Sequence, residues 1–287
     1  MAAQIIDGKA VAQRLRGEIK TKVADLVAHI GVAPHLVVVL ASDDPASAVY
    51  VRNKGKAAEE VGIRSTQHTL PANTEKAALL ELIQKLNADP DVDGILVQLP
   101  VPKQHDTEAL IRALDPAKDV DGLHPLNAGL LSRGDESGLI PCTPKGCIKL
   151  IESAGVDLAG KHAVVLGRSR LVGRPVADLL LNRNATVTTC HSRTKDLAQE
   201  VGRADVLIAA IGKEELVKGS WVKFGATVID VGINRNPAGK LTGDVAFPGA
   251  AERAAAITPV PGGVGPMTIA CLLENTLIAA TRRRVMR

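Results

Sequence analysis

Apolar residues recur at Val11, Leu15, Ile19, Val23, Leu26 and Ile30, a three-to-four-residue spacing that predicts an amphipathic helix opened by Asp7 and closed by Gly31. The next apolar run, "LVVVLA" over Leu36 to Ala41, shows no alternation and reads as a strand covered on both faces. The pattern then repeats, with a helix over 45–61 closed by Gly62, a strand over 63–70, a helix over 74–87 and a strand from Gly94 in "GILVQLP". Strands alternating with helices of this length predict parallel β-α-β units.

Between Leu114 and Thr143 the periodicity fades into a segment rich in Gly, Pro and Asp, which places a domain junction there. A second alternating series follows: helix 145–154, strand 162–166, helix 172–182, strand 186–190, helix 194–201, strands 206–211 and 227–231. Its order is that of a Rossmann-type half. A last helix, over about 266–283, is expected to return to the first domain. The reading is therefore an α/β chain of two parallel-sheet domains. Residues 1–140, joined by the C-terminal helix at about 266–287, form the first, and 141–265 form the second.

Composition narrows the function classes. The chain has 287 residues and a net charge of +4, which suits anionic ligands without requiring them. With one Tyr, one Trp and two Phe, it lacks the stacking platforms of single-strand binders, so no nucleic-acid partner is expected. The basic C-terminal "TRRRVMR" suits the negative end of a last helix. The four cysteines form no C-x-x-C pair and no zinc spacing, so buried thiols are expected rather than disulfides or a metal site. No signal segment opens the chain, and no unbroken apolar run approaches the ~18 residues of a membrane span. The expectation is an intracellular, cytoplasmic protein with no membrane partner.

Candidate chemistry gathers at two places. In "VVLGRSRLVGRP", a strand ends in Gly167 and a helix begins near Gly173, the layout of a dinucleotide turn with Arg168 and Ser169 between the glycines. The spacing is not G-x-G-x-x-G, and an ordinary strand-to-helix connection also accounts for it. The next strand, "ATVTTC", ends in "HSR" and carries no carboxylate for ribose hydroxyls. Ser192 and Arg193, with Arg168, suit the 2'-phosphate of NADP, although Arg193 also reads as a solvated loop charge.

In the first domain, Tyr50 and Lys54 lie four apart and share a helix face, a flat ring beside an amine able to act as a base. An interface tyrosine beside a solvent lysine is the bland reading. Gln98 ends "GILVQLP" at the sheet edge where ligands collect. Asp119 and Asp121 in "KDVDG" are both candidates for a ligand's amino groups and both candidate turn formers. "TPVPGGVGPMT", Thr258 to Thr268, reads as a side-chain-poor loop that admits a ligand to the backbone, or as a connector.

These segments, with "SAVYVRNKGKAAEEVGI", "DPAKDVDGLHPLNAG", "PCTPKG" and "VIDVGIN", resemble the bifunctional methylenetetrahydrofolate dehydrogenase/methenyltetrahydrofolate cyclohydrolase family, in the family's order and along nearly the whole chain. The resemblance implies an active-site cleft between the two domains, NADP on the second, tetrahydrofolate on the first, and a homodimer. It implies that Lys54 is the central catalytic group, that Tyr50 flanks the pterin, that Gln98 tunes Lys54 and that Asp121 anchors the pterin. Val97, Leu99 and the loop of Pro261, Gly262 and Gly263 complete the implied substrate contacts. Gly167, Arg168, Ser169, Ser192, Arg193 and Ile233 are the implied cofactor positions. The expected reaction is oxidation of 5,10-methylenetetrahydrofolate followed by hydrolysis to 10-formyltetrahydrofolate. A dehydrogenase without cyclohydrolase activity and a folate- and nucleotide-binding protein without turnover are the alternatives. Neither a transit segment nor a formate-ligase extension is expected.

Overall fold

The structure is a computed structural model that describes residues 3–285. A short strand β1 (Gln4–Ile5) leads into helix α1 (Gly8–Ile30). Asp7 caps that helix, its carboxylate accepting from the backbone N–H of Lys9 and Ala10 at 2.9 and 3.1 Å. The chain continues through β2 (His35–Ala41), α2 (Pro45–Glu60), β3 (Arg64–Leu70), α3 (Lys76–Ala88), β4 (Gly94–Val97), α4 (Thr107–Ala113), α5 (Pro125–Ser132) and α6 (Cys142–Ser153). Next come β5 (His162–Leu166), α7 (Gly173–Asn182), β6 (Thr186–Cys190), α8 (Leu197–Val201), β7 (Val206–Ala209) and β8 (Thr227–Asp230). A hairpin of β9 (Asn234–Arg235) and β10 (Leu241–Thr242), then α9 (Phe247–Ala251), β11 (Ala256–Ile257) and α10 (Val264–Arg284), completes it.

The chain forms two compact units. The three-stranded unit comprises Arg14–Cys142 and the chain from Ile269 onward; the six-stranded unit comprises the chain through Gln13 and Thr143–Thr268. The first contains a parallel sheet of order β3-β2-β4, the second a parallel sheet of order β1-β11-β8-β7-β5-β6. All seven residues of β2 are buried, as its unbroken apolar run predicts, because the strand is central to its sheet. The core beneath it joins Val37 and Val39 to Leu79 and Ile83 of α3 and Leu110 of α4.

Three features depart from the sequence reading. Residues up to Gln13 belong with the six-stranded unit rather than the first domain, because β1 pairs with β11, Gln4 opposite Ala256 and Ile5 opposite Ile257. A two-residue strand is too short to show a period. The junction read as irregular contains α5, capped by the His124 side chain, which accepts from the Leu126 N–H. Finally, α10 is long and apolar enough to cross a membrane, with a mean hydropathy of 1.3 in its most apolar window, although its apolar run is interrupted. Of that window 61% is buried inside the protein, the pattern of a core helix.

Polar residues of the three-stranded unit are spent on fixing its loops. Lys118 is fully buried, and its ammonium donates to the carbonyls of Leu86, Asn87 and Asp89 at the end of α3. At the far end of α10, Arg283 and Arg284 reach the buried Asp93 carboxylate at 3.0 and 2.8 Å. The basic C-terminal cluster thus ties its helix to the start of β4.

Candidate active site

Both sheets reverse their strand order around their first β-α-β strand. From β2 the chain goes to β3 on one side and β4 on the other; from β5 it goes to β6 on one side and β7 on the other. Helices diverging from such a point open a crevice at the carboxyl ends of the strands, where α/β proteins bind ligands. The predicted site residues fall at these two edges.

In the three-stranded unit, Lys54 lies on α2, one turn after Tyr50, a residue that is 48% exposed. The Lys54 Nζ donates to Gln98 Oε1 at 2.8 Å. Gln98 follows β4 directly, and its backbone N–H donates to the Val39 carbonyl at 2.9 Å, continuing the β2–β4 ladder by one residue. Its side-chain amide donates to the Leu99 carbonyl, which directs Oε1 toward the lysine. Val97, the last residue of β4, is buried behind Gln98.

The two aspartates of "KDVDG" have different surroundings. Asp119 is buried and accepts from the His124 N–H at 2.7 Å and from Asn127 Nδ2 at 3.0 Å, so it holds its own loop. Asp121 faces Lys54 instead. Burial pushes the Lys54 ammonium below the usual lysine range, opposed chiefly by the negative charge of Asp121. Burial likewise raises the Asp121 carboxyl, opposed by the charge of Lys54 and a hydrogen bond with the Cys142 thiol. Lys54 and Asp121 are thus an acid–base pair whose members each favour neutrality more than they do in water.

Cys142 and Asn275 supply a support that the sequence reading did not single out. Asn275 of α10 donates to the carbonyls of Val120 and Ile140 at 2.9 and 2.8 Å, and the Cys142 thiol donates to the Val120 carbonyl at 3.2 Å. Their sequence signal is weak: Cys142 reads as a buried thiol, and Asn275 is 155 residues from the carbonyl it fixes. All four cysteines are buried thiols rather than disulfides.

In the six-stranded unit, Gly167 follows β5 with a φ of +114°, and a Cβ there would collide with the Ala210 carbonyl oxygen. A Cβ at Gly173 would collide with the Gly167 carbonyl. Only glycine fits either position. Ser169 Oγ accepts from the N–H groups of Val172 and Gly173 at 3.1 and 3.3 Å, capping the start of α7. Arg168, Ser169 and Arg170 are exposed on this turn, and Ser192 and Arg193 are exposed just past β6. A side-chain-free cradle at a helix N-terminus, flanked by arginines and without an acid at the end of β6, fits a dinucleotide with a phosphorylated ribose.

Ile233 is 54% exposed after β8, and Pro261, Gly262 and Gly263 follow β11. Gly262 has a φ of +107°, and a Cβ at Gly263 would press on Pro259 O at 2.6 Å. Beneath these loops lie Asp230 and Asp244, buried and absent from the sequence-based candidates. Burial raises the Asp230 carboxyl to about 6 against the pull of three backbone amides.

Comparison with known proteins agrees with this geometry. The sequence profile of the tetrahydrofolate dehydrogenase/cyclohydrolase catalytic domain matches residues 6–121, and that of the same family's NAD(P)-binding domain matches residues 141–284. The chain is 61% identical to the bifunctional protein FolD of Acidiphilium cryptum, over 99% of this chain and 100% of the relative. A crystal structure of the bifunctional methylenetetrahydrofolate dehydrogenase/cyclohydrolase FolD from Campylobacter jejuni is 48% identical with a TM-score of 0.96, covering 98% of this chain and 100% of that one. The Trypanosoma brucei enzyme, solved with NADP cofactor and inhibitor, is 41% identical with a TM-score of 0.94, covering 98% of each chain. With profiles spanning both units and full-length similarity well above what fold alone produces, the chain belongs to the tetrahydrofolate dehydrogenase/cyclohydrolase family.

Proposed function

We propose that the chain carries out a two-step reaction, oxidation of 5,10-methylenetetrahydrofolate to the methenyl cation and then hydrolysis to 10-formyltetrahydrofolate, and that Lys54, tuned by Gln98 and Asp121, is the group on which the hydrolysis turns. The observation that carries this reading is the partly buried Lys54 amine, 2.8 Å from Gln98 Oε1 and held beside Asp121. A neutral lysine that donates one N–H to Gln98 keeps a lone pair, and that lone pair can take a proton from water attacking the methenyl carbon. The cationic substrate depresses the Lys54 pKa further when it binds, which enlarges the neutral fraction when it is needed. Asp121 offers an acceptor for the amino groups of the pterin, and the exposed Tyr50 ring offers a flat face to it. Val97 and Leu99 border Gln98, and Pro261, Gly262 and Gly263 are carried as substrate contacts on the family resemblance alone.

Gly167, Arg168, Ser169, Ser192, Arg193 and Ile233 hold NADP in this reading. The bound dinucleotide supplies the hydride acceptor for the first step; the chain's part in that step is orientation. The two arginines and the missing acid favour NADP over NAD. The enzyme is further read as a cytoplasmic homodimer without nucleic-acid or membrane partners, supported by the family resemblance and the buried thiols.

The test supplies the enzyme with 5,10-methylenetetrahydrofolate and either NADP or NAD, following reduced cofactor and methenyl compound separately. NADP-dependent reduction without lasting accumulation of methenyl compound is expected. No reduction with either cofactor overturns the dehydrogenase reading, and accumulating methenyl compound overturns the cyclohydrolase reading.

A further inference from the structure

Three loops of the six-stranded unit leave the carboxyl edge after β7, β8 and β11, and two buried carboxylates lie beneath them. Asp244 Oδ2 accepts from the N–H groups of Ile211 and Gly212 at 2.7 and 3.0 Å. Its Oδ1 accepts from the Lys213 N–H at 2.8 Å and from Asn234 Nδ2 at 2.9 Å. Asp230 Oδ1 accepts from the N–H groups of Gly232 and Asp244, and its Oδ2 accepts from the Val245 N–H, all at 2.9 Å. The Asp230 N–H in turn donates to the hydroxyl of the buried Thr258, at the root of the Pro261–Gly263 loop, at 2.8 Å. The packing leaves no slack: a Cβ at Gly232 would strike the Asp244 carboxylate, and one at Gly243 would strike that of Asp230.

Burying two carboxylates side by side is costly, and here the compensation comes from amides of the loops themselves. A hydrophobic pair would fill the same space, but it could not fix the direction of six backbone N–H groups. The loop after β8 carries Ile233, which stands exposed one residue beyond Gly232 and one before Asn234. Each neighbour of Ile233 is bonded to one of the two aspartates.

We propose that Asp244, acting with Asp230, is a positioning residue for the dehydrogenase step: it fixes the loops after β7 and β8 in the conformation that accepts the nicotinamide end of NADP. This rests on the assignment of Ile233 as a cofactor contact. Asp244 touches neither cofactor nor substrate in this proposal; it acts through Ile211–Lys213 and Ile233.

The test exploits the fact that the hydrolytic step needs no nucleotide. Asp244→Asn places an amide N–H2 against backbone donors, so it breaks one side of the network while keeping the side chain's volume. NADP binding by calorimetry, amide hydrogen exchange, thermal unfolding and both activities are measured on the full chain. We expect NADP affinity and dehydrogenase kcat together to fall by about tenfold to a hundredfold, the order seen when a distant change misplaces a reacting group. Amide exchange should rise across residues 211–213 and 231–234, with hydrolysis of the methenyl compound retained. Asn234→Ala removes one donor only and should shift the same readouts less, which decides the matter if Asp244→Asn does not fold. Parallel loss of both activities, or unchanged NADP affinity despite faster loop exchange, overturns the proposal. Ile233→Ala tests its premise separately: unchanged NADP affinity there shows that this loop does not face the cofactor, whatever the aspartates do to it.

Discussion

The two α/β units carry the same device at the amino edge of their sheets and different devices at the carboxyl edge. In the three-stranded unit, His35 opens β2. Its N–H donates to Asp93 Oδ2 at 3.0 Å, its Nε2 lies 2.8 Å from Thr66 Oγ1, and its Nδ1 lies 3.2 Å from the Asp91 carbonyl. In the six-stranded unit, His162 opens β5. Its N–H donates to Asp205 Oδ2 at 2.9 Å, its Nε2 lies 2.9 Å from Thr188 Oγ1, and its Nδ1 lies 3.3 Å from the Arg203 carbonyl. The register matches too: Val37 is opposite Thr66 and Val164 is opposite Thr188. Each aspartate directly precedes the strand that flanks the histidine's strand on the side opposite the threonine, β4 beside β2 and β7 beside β5. Three strands of a parallel sheet must be brought into register at the end away from the ligand, and one His–Asp–Thr lock does this in both places.

At the carboxyl edges the resemblance stops. The six-stranded unit presents backbone: Gly167 and Gly173 clear a path to amide groups, and Asp230 and Asp244 orient loops from below. The three-stranded unit presents side chains, with Lys54, Gln98 and Asp121 converging from a helix, a strand end and a loop. A phosphate needs many fixed donors and no proton transfer, which backbone supplies well. Hydrolysis needs a group that changes protonation, which backbone cannot supply. The chemistry required, rather than the strand order, separates the two edges.

Substitutions can break this contrast or sharpen it. The largest effect belongs to Lys54→Met, which should lower turnover of the methenyl compound by about 10²- to 10⁴-fold, the usual worth of a general base. NADP affinity measured by calorimetry should stay as it was; if it falls in step, the division of labour between the edges is wrong. Gly167→Val should do the converse. Its φ of +114° and the collision with the Ala210 carbonyl cost about 1–3 kcal/mol in backbone strain alone, readable by thermal unfolding, and NADP affinity should collapse while hydrolysis persists.

Gln98→Glu has a smaller and more specific effect. A carboxylate at hydrogen-bond distance from Lys54 favours the ammonium and raises its pKa. The neutral amine then forms only at higher pH, so the rising limb of the cyclohydrolase pH–rate profile should move to higher pH, and a shift to lower pH would contradict the base role. The smallest effects belong to the shared lock. His35→Ala and His162→Ala should each cost about 1 kcal/mol in denaturant unfolding and leave both activities intact. Burial, and then the Arg64 charge, hold the His35 pKa below its usual value. The folded protein therefore binds that proton less readily than the unfolded chain does, and the His35 contribution is complete above the unfolded pKa and is lost as pH falls below it. In wild type, stability should drop below about pH 6.5, and part of that drop should vanish in His35→Ala.

Much of the fold is legible in the sequence because its elements are local. The period of α1, the unbroken apolar run of β2 and the strand–Gly–helix order around Gly167 all arise from neighbours within a few residues. The part that is not legible depends on distant partners. A two-residue β1 takes its place only by pairing with β11, more than two hundred residues later. Lys54 was legible as a candidate from its helical spacing with Tyr50, and the resemblance assigned it a role. Its lowered pKa required burial and the approach of Asp121, which no spacing encodes.

The clearest division runs through pairs of aspartates. "KDVDG" offers Asp119 and Asp121 as equivalent turn formers, and only the fold sends the first to Asn127 and the second to Lys54. "VIDVG" and "GDV" place Asp230 and Asp244 in unremarked apolar surroundings, and only the fold turns them toward seven donors from three separate stretches of chain. By itself the sequence determined the secondary elements, the parallel β-α-β order and the residue types available, because these follow from short-range periodicity and backbone preference. Tertiary structure alone decided which carboxylate is a scaffold and which meets a lysine, because charge and hydrogen bonding depend on distance and burial in space.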